Sequence, residues 1–267
     1  MAIQITDNGF LDSNSSEVVL HVNHVHREVL SYCKRLNNLA HRSLFSAKVS
    51  IDDLQQFLLA GLIHKAMTAY QAVILLGERG MPSESQVVLR TLLEATFRIV
   101  AIAKDPEVGR AYLLQDETSR RKFLNKLKLL DKSRPAEVVE SELDSMLKAV
   151  SQNIEIHKAR ELKTAWFAEK ANLLDFYNSA YAVLSDSVHV NVRHLENAFN
   201  SDSKGELIGL NYGYSDKGLI QNTLTAAEAL LISIQAAYSI IDVNPVEEIH
   251  QSQDEFNTLI KKYSPSA

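Results

Sequence analysis

Apolar positions along this chain recur at helical rather than alternating intervals. Val18, Val22, Val25, Val29, Leu36 and Leu39 are separated by three, four or seven residues, the spacing that returns a side chain to one face of a helix. That stripe predicts a first helix starting after Asp12–Ser16 and running to about Ala47. Ser50 reads as the cap of a second helix, with Asp52 and Asp53 suited to its positive end. This helix runs to Arg79 and stops at Gly80, with Pro82 beyond. Ser83 and Gln86 form a capping-box pattern opening a third helix that ends near Asp105 and Pro106. Further helices are expected over 106–131, 135–160 (Pro135 at its start), Trp166 to about His189, 217–242 and 246–262, the last two separated by Asn244 and Pro245. The segment 203–216 carries three of the nine glycines and two tyrosines, and is the place for a short β-hairpin or structured loop. The tail, 264–267, should be disordered. The expected fold is all-α: a single multi-helix bundle over 1–267, ordered from about 12 to 262.

Composition sharpens this picture. Only 9 glycines and 5 prolines occur, which argues against a turn-rich β-fold. A net charge of −5 disfavours a non-specific polyanion binder, so any nucleic-acid contact must come from a local patch. Cys33 is the only cysteine, which excludes an internal disulfide and a thiolate metal cluster. The first residues lack the basic and apolar regions of a signal peptide. The apolar stretches at 87–103 and 224–241 are interrupted by Arg90, Glu94 and Arg98, and by Glu228 and Gln235. A cytoplasmic protein of bacterial style, without a membrane anchor, is the expectation.

Two polar ladders stand out against this apolar background. Gln86, Arg90, Glu94 and Arg98 follow one another at four-residue spacing, as do Tyr177, Tyr181, Ser185 and His189. Residues four apart share a helix face, and charges are rarely buried without partners. Such stripes either pair with each other inside a helical core or line a cleft. In the first case Arg90 and Glu94 form a core ion pair. In the second, Arg90 clamps an anion, Glu94 orients it, and Asp186 orients His189 and raises its pKa. Arg193 would extend the stripe by one turn.

The run LRTLLEATFRI (89–99), Trp166 and YNSAYAVLSDSVH (177–189) together resemble the bacterial helical family known as domain of unknown function 5677. The resemblance rests on an Arg-x3-Glu segment, here Arg90 and Glu94, and a Tyr-x3-Tyr-x3-Ser-x3-His segment, here Tyr177, Tyr181, Ser185 and His189, within about residues 83–195. It implies an all-α fold and supplies no activity. More remotely, proteins of this kind are similar to the HEPN group of helical ribonucleases found in defence and toxin systems, an analogy of fold alone.

Other clusters carry less. HEPN ribonucleases bear an arginine followed four to six residues later by a histidine, and Arg35 with His41 fits that spacing. About one such match is expected by chance in a chain with 9 histidines. His21, His24 and His26 lie close together, but His26 points away on an ideal helix, so a surface or interface cluster is favoured over a metal site. Arg120, Arg121, Lys122, Lys126, Lys128, Lys132 and Arg134 are followed by Glu137, Glu140, Glu142 and Asp144. Two antiparallel helices would let these runs neutralise each other. No phosphate-loop, dinucleotide, nucleophile-elbow or kinase signature occurs. The expectation is an effector acting on RNA or a nucleotide-like phosphate without metal or other cofactor. His189, Asp186, Arg90 and Glu94 would do the chemistry, and Tyr177, Tyr181, Ser185, Arg193 and Arg98 would bind substrate. A homo-oligomer and an operon-encoded protein partner are also expected. The alternative is a non-catalytic helical interaction protein whose ladders are structural.

Overall fold

The computed structural model describes residues 8–12, 15–129, 136–184, 199–210, 213–243 and 246–263. After a short 3-10 turn come α1 (Ser15–Val25), α2 (Arg27–Ser46), α3 (Leu54–Glu78), α4 (Pro82–Lys104), α5 (Pro106–Leu129), α6 (Ala136–His157) and α7 (Thr164–Ala171). A three-residue helix α8 (Leu174–Phe176) runs into a π-helical turn, Tyr177–Tyr181. Strands β1 (Phe199–Ser201) and β2 (Leu207–Leu210) form an antiparallel hairpin, and α9 (Leu219–Tyr238) and α10 (Val246–Tyr263) follow. The fold is an all-α bundle with a small β-hairpin.

At its centre lies α4, packed against α3, α9 and α7. Small side chains let α4 and α9 approach closely. Ala95, Ala226, Ala229 and Ala237 are buried there. The Thr96 hydroxyl lies 3.3 Å from the Ala229 carbonyl, and the Ser233 hydroxyl donates to Thr96 at 3.0 Å. The turn from α3 to α4 is set by Gly80. Its φ is +71°, Met81 N–H donates to the Leu76 carbonyl at 3.0 Å, and Gly80 N–H donates to the Gly77 carbonyl at 2.9 Å. These are the two crossed bonds of a Schellman end.

An unanticipated register joins α2 to α10. Glu28 meets Lys262, Arg35 meets Glu255, and Arg42 meets Glu248. Each step of seven residues up α2 matches seven down α10, so the helices run antiparallel with one face of each in register. Tyr32 fills the same seam: its hydroxyl donates to the Ser252 carbonyl at 3.1 Å and its ring lies 6.2 Å from that of Phe256.

Several expected boundaries shift. The first helix is kinked at His26 (φ −105°, ψ 27°), whose ring nitrogen lies 3.0 Å from the Asp216 carboxylate. Asp53, not Ser50, caps α3, because its carboxylate accepts from the Gln55 and Gln56 N–H groups. Ser50 lies outside the helix and its own N–H donates to the Gln56 side chain at 3.0 Å. The third helix opens at Pro82 with no side-chain cap, and Gln86 turns to Asn222 on α9, 3.4 Å away. The helix expected from Trp166 is broken at Asn172, which adopts a left-handed conformation (φ 59°). The hairpin begins at 199, ahead of the expected segment. Pro135 and the tail 264–267 lie outside the described residues.

Among the described residues one helix, Leu54–Glu78, is long and apolar enough by composition to cross a membrane, with a mean hydropathy of 1.4 over its best window, 44% of which is buried in the fold. Lys65 and Glu78 are its charges, and Glu78 pairs with Lys34 of α2 at 2.6 Å.

Candidate functional site

The two ladders meet. Arg90 and Glu94 lie one turn apart on α4, and both turn toward the π-helical segment. Tyr181 stands between them. Its hydroxyl accepts from Arg90 Nε at 3.1 Å and Nη2 at 2.9 Å, and donates to Glu94 Oε1 at 2.8 Å. Arg90 and Glu94 themselves are 3.5 Å apart, longer than any bond through the tyrosine. Tyr181 is therefore the bridge, and the direct ion pair is secondary. The Arg90 guanidinium also lies 4.9 Å from the centre of the Tyr181 ring.

The π turn explains how two tyrosines face α4 together. Ala182 N–H reaches back five residues to the Tyr177 carbonyl, widening the turn. Tyr177 and Tyr181 stack, with centroids 4.9 Å apart and planes 23° apart. Phe97, fully buried on α4, is the hub beneath them: its ring lies 6.0 Å from each tyrosine and 6.3 Å from Phe176.

Burial raises the pKa of the Tyr181 hydroxyl, and the hydrogen bond to Glu94 adds to the rise, while Thr164 and Arg90 oppose it. The phenol thus keeps its proton at neutral pH, as the donation to Glu94 requires. The cluster is open to water: the side chains of Arg90 and Glu94 are 21% and 31% exposed. Arg90 is thus held through Nε and Nη2 by the Tyr181 hydroxyl, and among the described residues no bond to Nη1 is seen.

Arg98, expected as a binding residue, reaches the other oxygen of the Glu94 carboxylate at 3.6 Å. It donates to the Glu94 carbonyl at 2.8 Å and its guanidinium lies 5.0 Å from the Phe167 ring centre and 5.8 Å from that of Tyr112. It joins α4 to α7 and α5. Ser185, Asp186, His189 and Arg193 lie outside the described residues.

The remaining candidates separate. Arg35 pairs with Glu255, whereas His41 lies 2.6 Å from the Gln71 side chain, so the two are held by different helices. Among the described residues no three His, Cys, Asp or Glu side chains come together to hold a metal. The basic and acidic runs meet at Lys128 and Asp144, 2.6 Å apart, whereas Lys122 pairs outside the acidic run, with Glu161 at 2.5 Å. Lys132 and Arg134 lie outside the described residues. Burial pushes the Cys33 thiol up to about 12, which rules out a thiolate there near neutral pH.

Residues 56–207 match the Family of unknown function (DUF5677). The chain belongs to this family. The matched region runs from α3 to the start of β2 and includes every part of the Arg90–Tyr181–Glu94 cluster. It excludes α9 and the α2–α10 seam. No curated protein and no solved structure matches the chain significantly.

Proposed function

We propose that this DUF5677 chain is a cytoplasmic bacterial effector, of a defence or toxin system, that acts on RNA or a nucleotide-like phosphate by metal-independent acid–base chemistry. The observation that carries the reading is the part-exposed Arg90 guanidinium, oriented through Nε and Nη2 by Tyr181. Guanidinium geometry suits phosphate oxygens, and a pre-oriented cation stabilises developing charge without reorganising. In this reading Glu94 and Tyr181 hold Arg90, and Arg193 supplies further positive charge. His189, oriented by Asp186, takes the proton from a ribose 2′-hydroxyl as its oxygen attacks phosphorus. The bond to the 5′-oxygen breaks, and that oxygen regains a proton as it leaves.

Purified protein should cleave single-stranded RNA in the presence of chelator. Arg90→Ala and His189→Ala should each lower the rate by about 100-fold or more while the protein remains folded. Unchanged cleavage or cellular toxicity in both variants would remove the proposal.

A second reading, a non-catalytic interaction protein, is favoured by the hairpin. Leu207, Ile208 and Leu210 on β2 are all more than half exposed, an apolar surface suited to self-association or to an operon-encoded partner. Light scattering that gives a monomer at all concentrations, for wild type and for Ile208→Glu alike, would count against self-association.

A further inference from the structure

A second cleft opens on the other side of the π turn, toward α9. Its volume is about 550 Å³, within the range of small-molecule sites. One wall is a stripe on α9: Gln221, Thr225, Glu228 and Ile232, spaced by four, three and four residues. The facing wall comes from α8 and the π turn, with Asp175 and Phe176 foremost. The lining includes two carboxylates and no lysine, arginine or histidine.

Glu228 is the unusual member. It is the one charged residue of α9, yet among the described residues it has no hydrogen-bonding or ionic partner. Burial raises its carboxyl above the usual carboxylate range. A half-buried acid without a counter-charge costs stability in the free protein. Elsewhere, the less exposed Glu78 is paired with Lys34. Among the described residues no third His, Cys, Asp or Glu joins the two carboxylates, which disfavours a transition-metal ion. The other wall residues suit an organic body: Phe176, Leu173, Ala180 and Ile232 give it an apolar surface.

We infer that this cleft binds a protonated organic amine, with the ammonium group at Glu228 and Asp175 and the apolar body against Phe176 and Ile232. The site is independent of the phosphate reading, since its charge is of the opposite sign and Glu228 lies outside the family-matched region. The π turn separates the two: Tyr177 and Tyr181 pack toward Phe97, whereas Ser179 and Ala180 line the cleft.

Calorimetric titration of the full chain with butylamine, tyramine and spermidine tests this. Neutral tyrosol and anionic 4-hydroxyphenylacetate serve as shape-matched controls for tyramine. At least one amine should bind saturably at one site per chain, with neither control doing so. Glu228→Gln should weaken that amine by at least about tenfold while melting no lower than wild type, which shows that the fold is kept. Absence of saturable binding by all three amines, equal binding of tyrosol and tyramine, or full retention of affinity by Glu228→Gln would each overturn the inference.

Discussion

Tyr181 has one oxygen and three bonds to it, and that sets what its loss should do. In Tyr181→Phe the ring and its stacking on Tyr177 remain, while Arg90 and Glu94 lose their bridge. Both side chains are partly exposed, so water replaces some of what is lost. The expected cost is about 1 kcal/mol in urea denaturation, at the low end for an unsatisfied group. RNA cleavage, if Arg90 must be pre-oriented, should fall more steeply than stability. A variant as active as wild type would show that the tyrosine is only a strut. Gly80 makes a sharper structural case. A Cβ there would stand 2.9 Å from that of Tyr214, at a φ of +71°. Left-handed backbone alone costs a non-glycine residue about 1–2 kcal/mol, and the loop holding Tyr214 is pinned by the Ser215 N–H bond to the Gly80 carbonyl at 3.0 Å. Gly80→Ala should therefore destabilise by about 2 kcal/mol or more; a loss under half of that would mean the loop yields freely.

The pairing of α2 with α10 makes a prediction of its own at the level of the element. Because Arg35 faces Glu255 in an antiparallel register, Arg35→Glu should lower stability by about 0.5 kcal/mol through like-charge repulsion between exposed groups. Adding Glu255→Arg should restore it, and high salt should erase both effects. Failure of the double exchange to recover anything would refute the register. At the start of α3, Asp53→Ala should cost about 1 kcal/mol and Ser50→Ala close to nothing. Equal effects in a denaturant series would return the cap to Ser50. These elements also show where sequence reading stops. The helices themselves were legible, since their apolar period is local. The contact of Arg90 and Glu94 with Tyr181 was one of the two readings the ladders left open, because desolvation leaves half-buried charges few alternatives to meeting polar partners. The α2–α10 seam was not legible, because spacing along α2 acquires meaning only beside its partner; Arg35 read instead as half of an Arg–His motif. The π turn was also hidden. It shifts one hydrogen bond by one residue and leaves no mark in composition, yet it decides that Tyr177 and Tyr181 present a stacked pair to Phe97.

Across the whole molecule, α9 has two roles: it closes the core against α4 and lends Glu228 to the cleft. That double role ties stability to pH with a definite sign. Glu228 has a folded-state pKa above the ordinary carboxylate value because it is desolvated. Below the ordinary value both folded and unfolded chains hold this proton, and the residue contributes no pH dependence. As pH rises past it the unfolded chain ionises first, so the folded state binds more protons and stability falls. The fall is complete once pH passes the raised value. Glu228→Gln abolishes this loss. The stability difference between variant and wild type should therefore start near a baseline in acid and grow in favour of the variant toward neutral pH. Glu28 and Glu161, lowered by Lys262 and Lys122, act in the opposite sense but are common to both proteins and cancel in the difference. A bound amine should close the gap from the other side, stabilising only the wild type and only where Glu228 is ionised. Paired denaturation curves across pH 4 to 8, a span of roughly the range in which shifted carboxylates titrate, would decide it. A difference that stays flat through that interval would mean that the Glu228 carboxylate is as well solvated in the fold as in the unfolded chain.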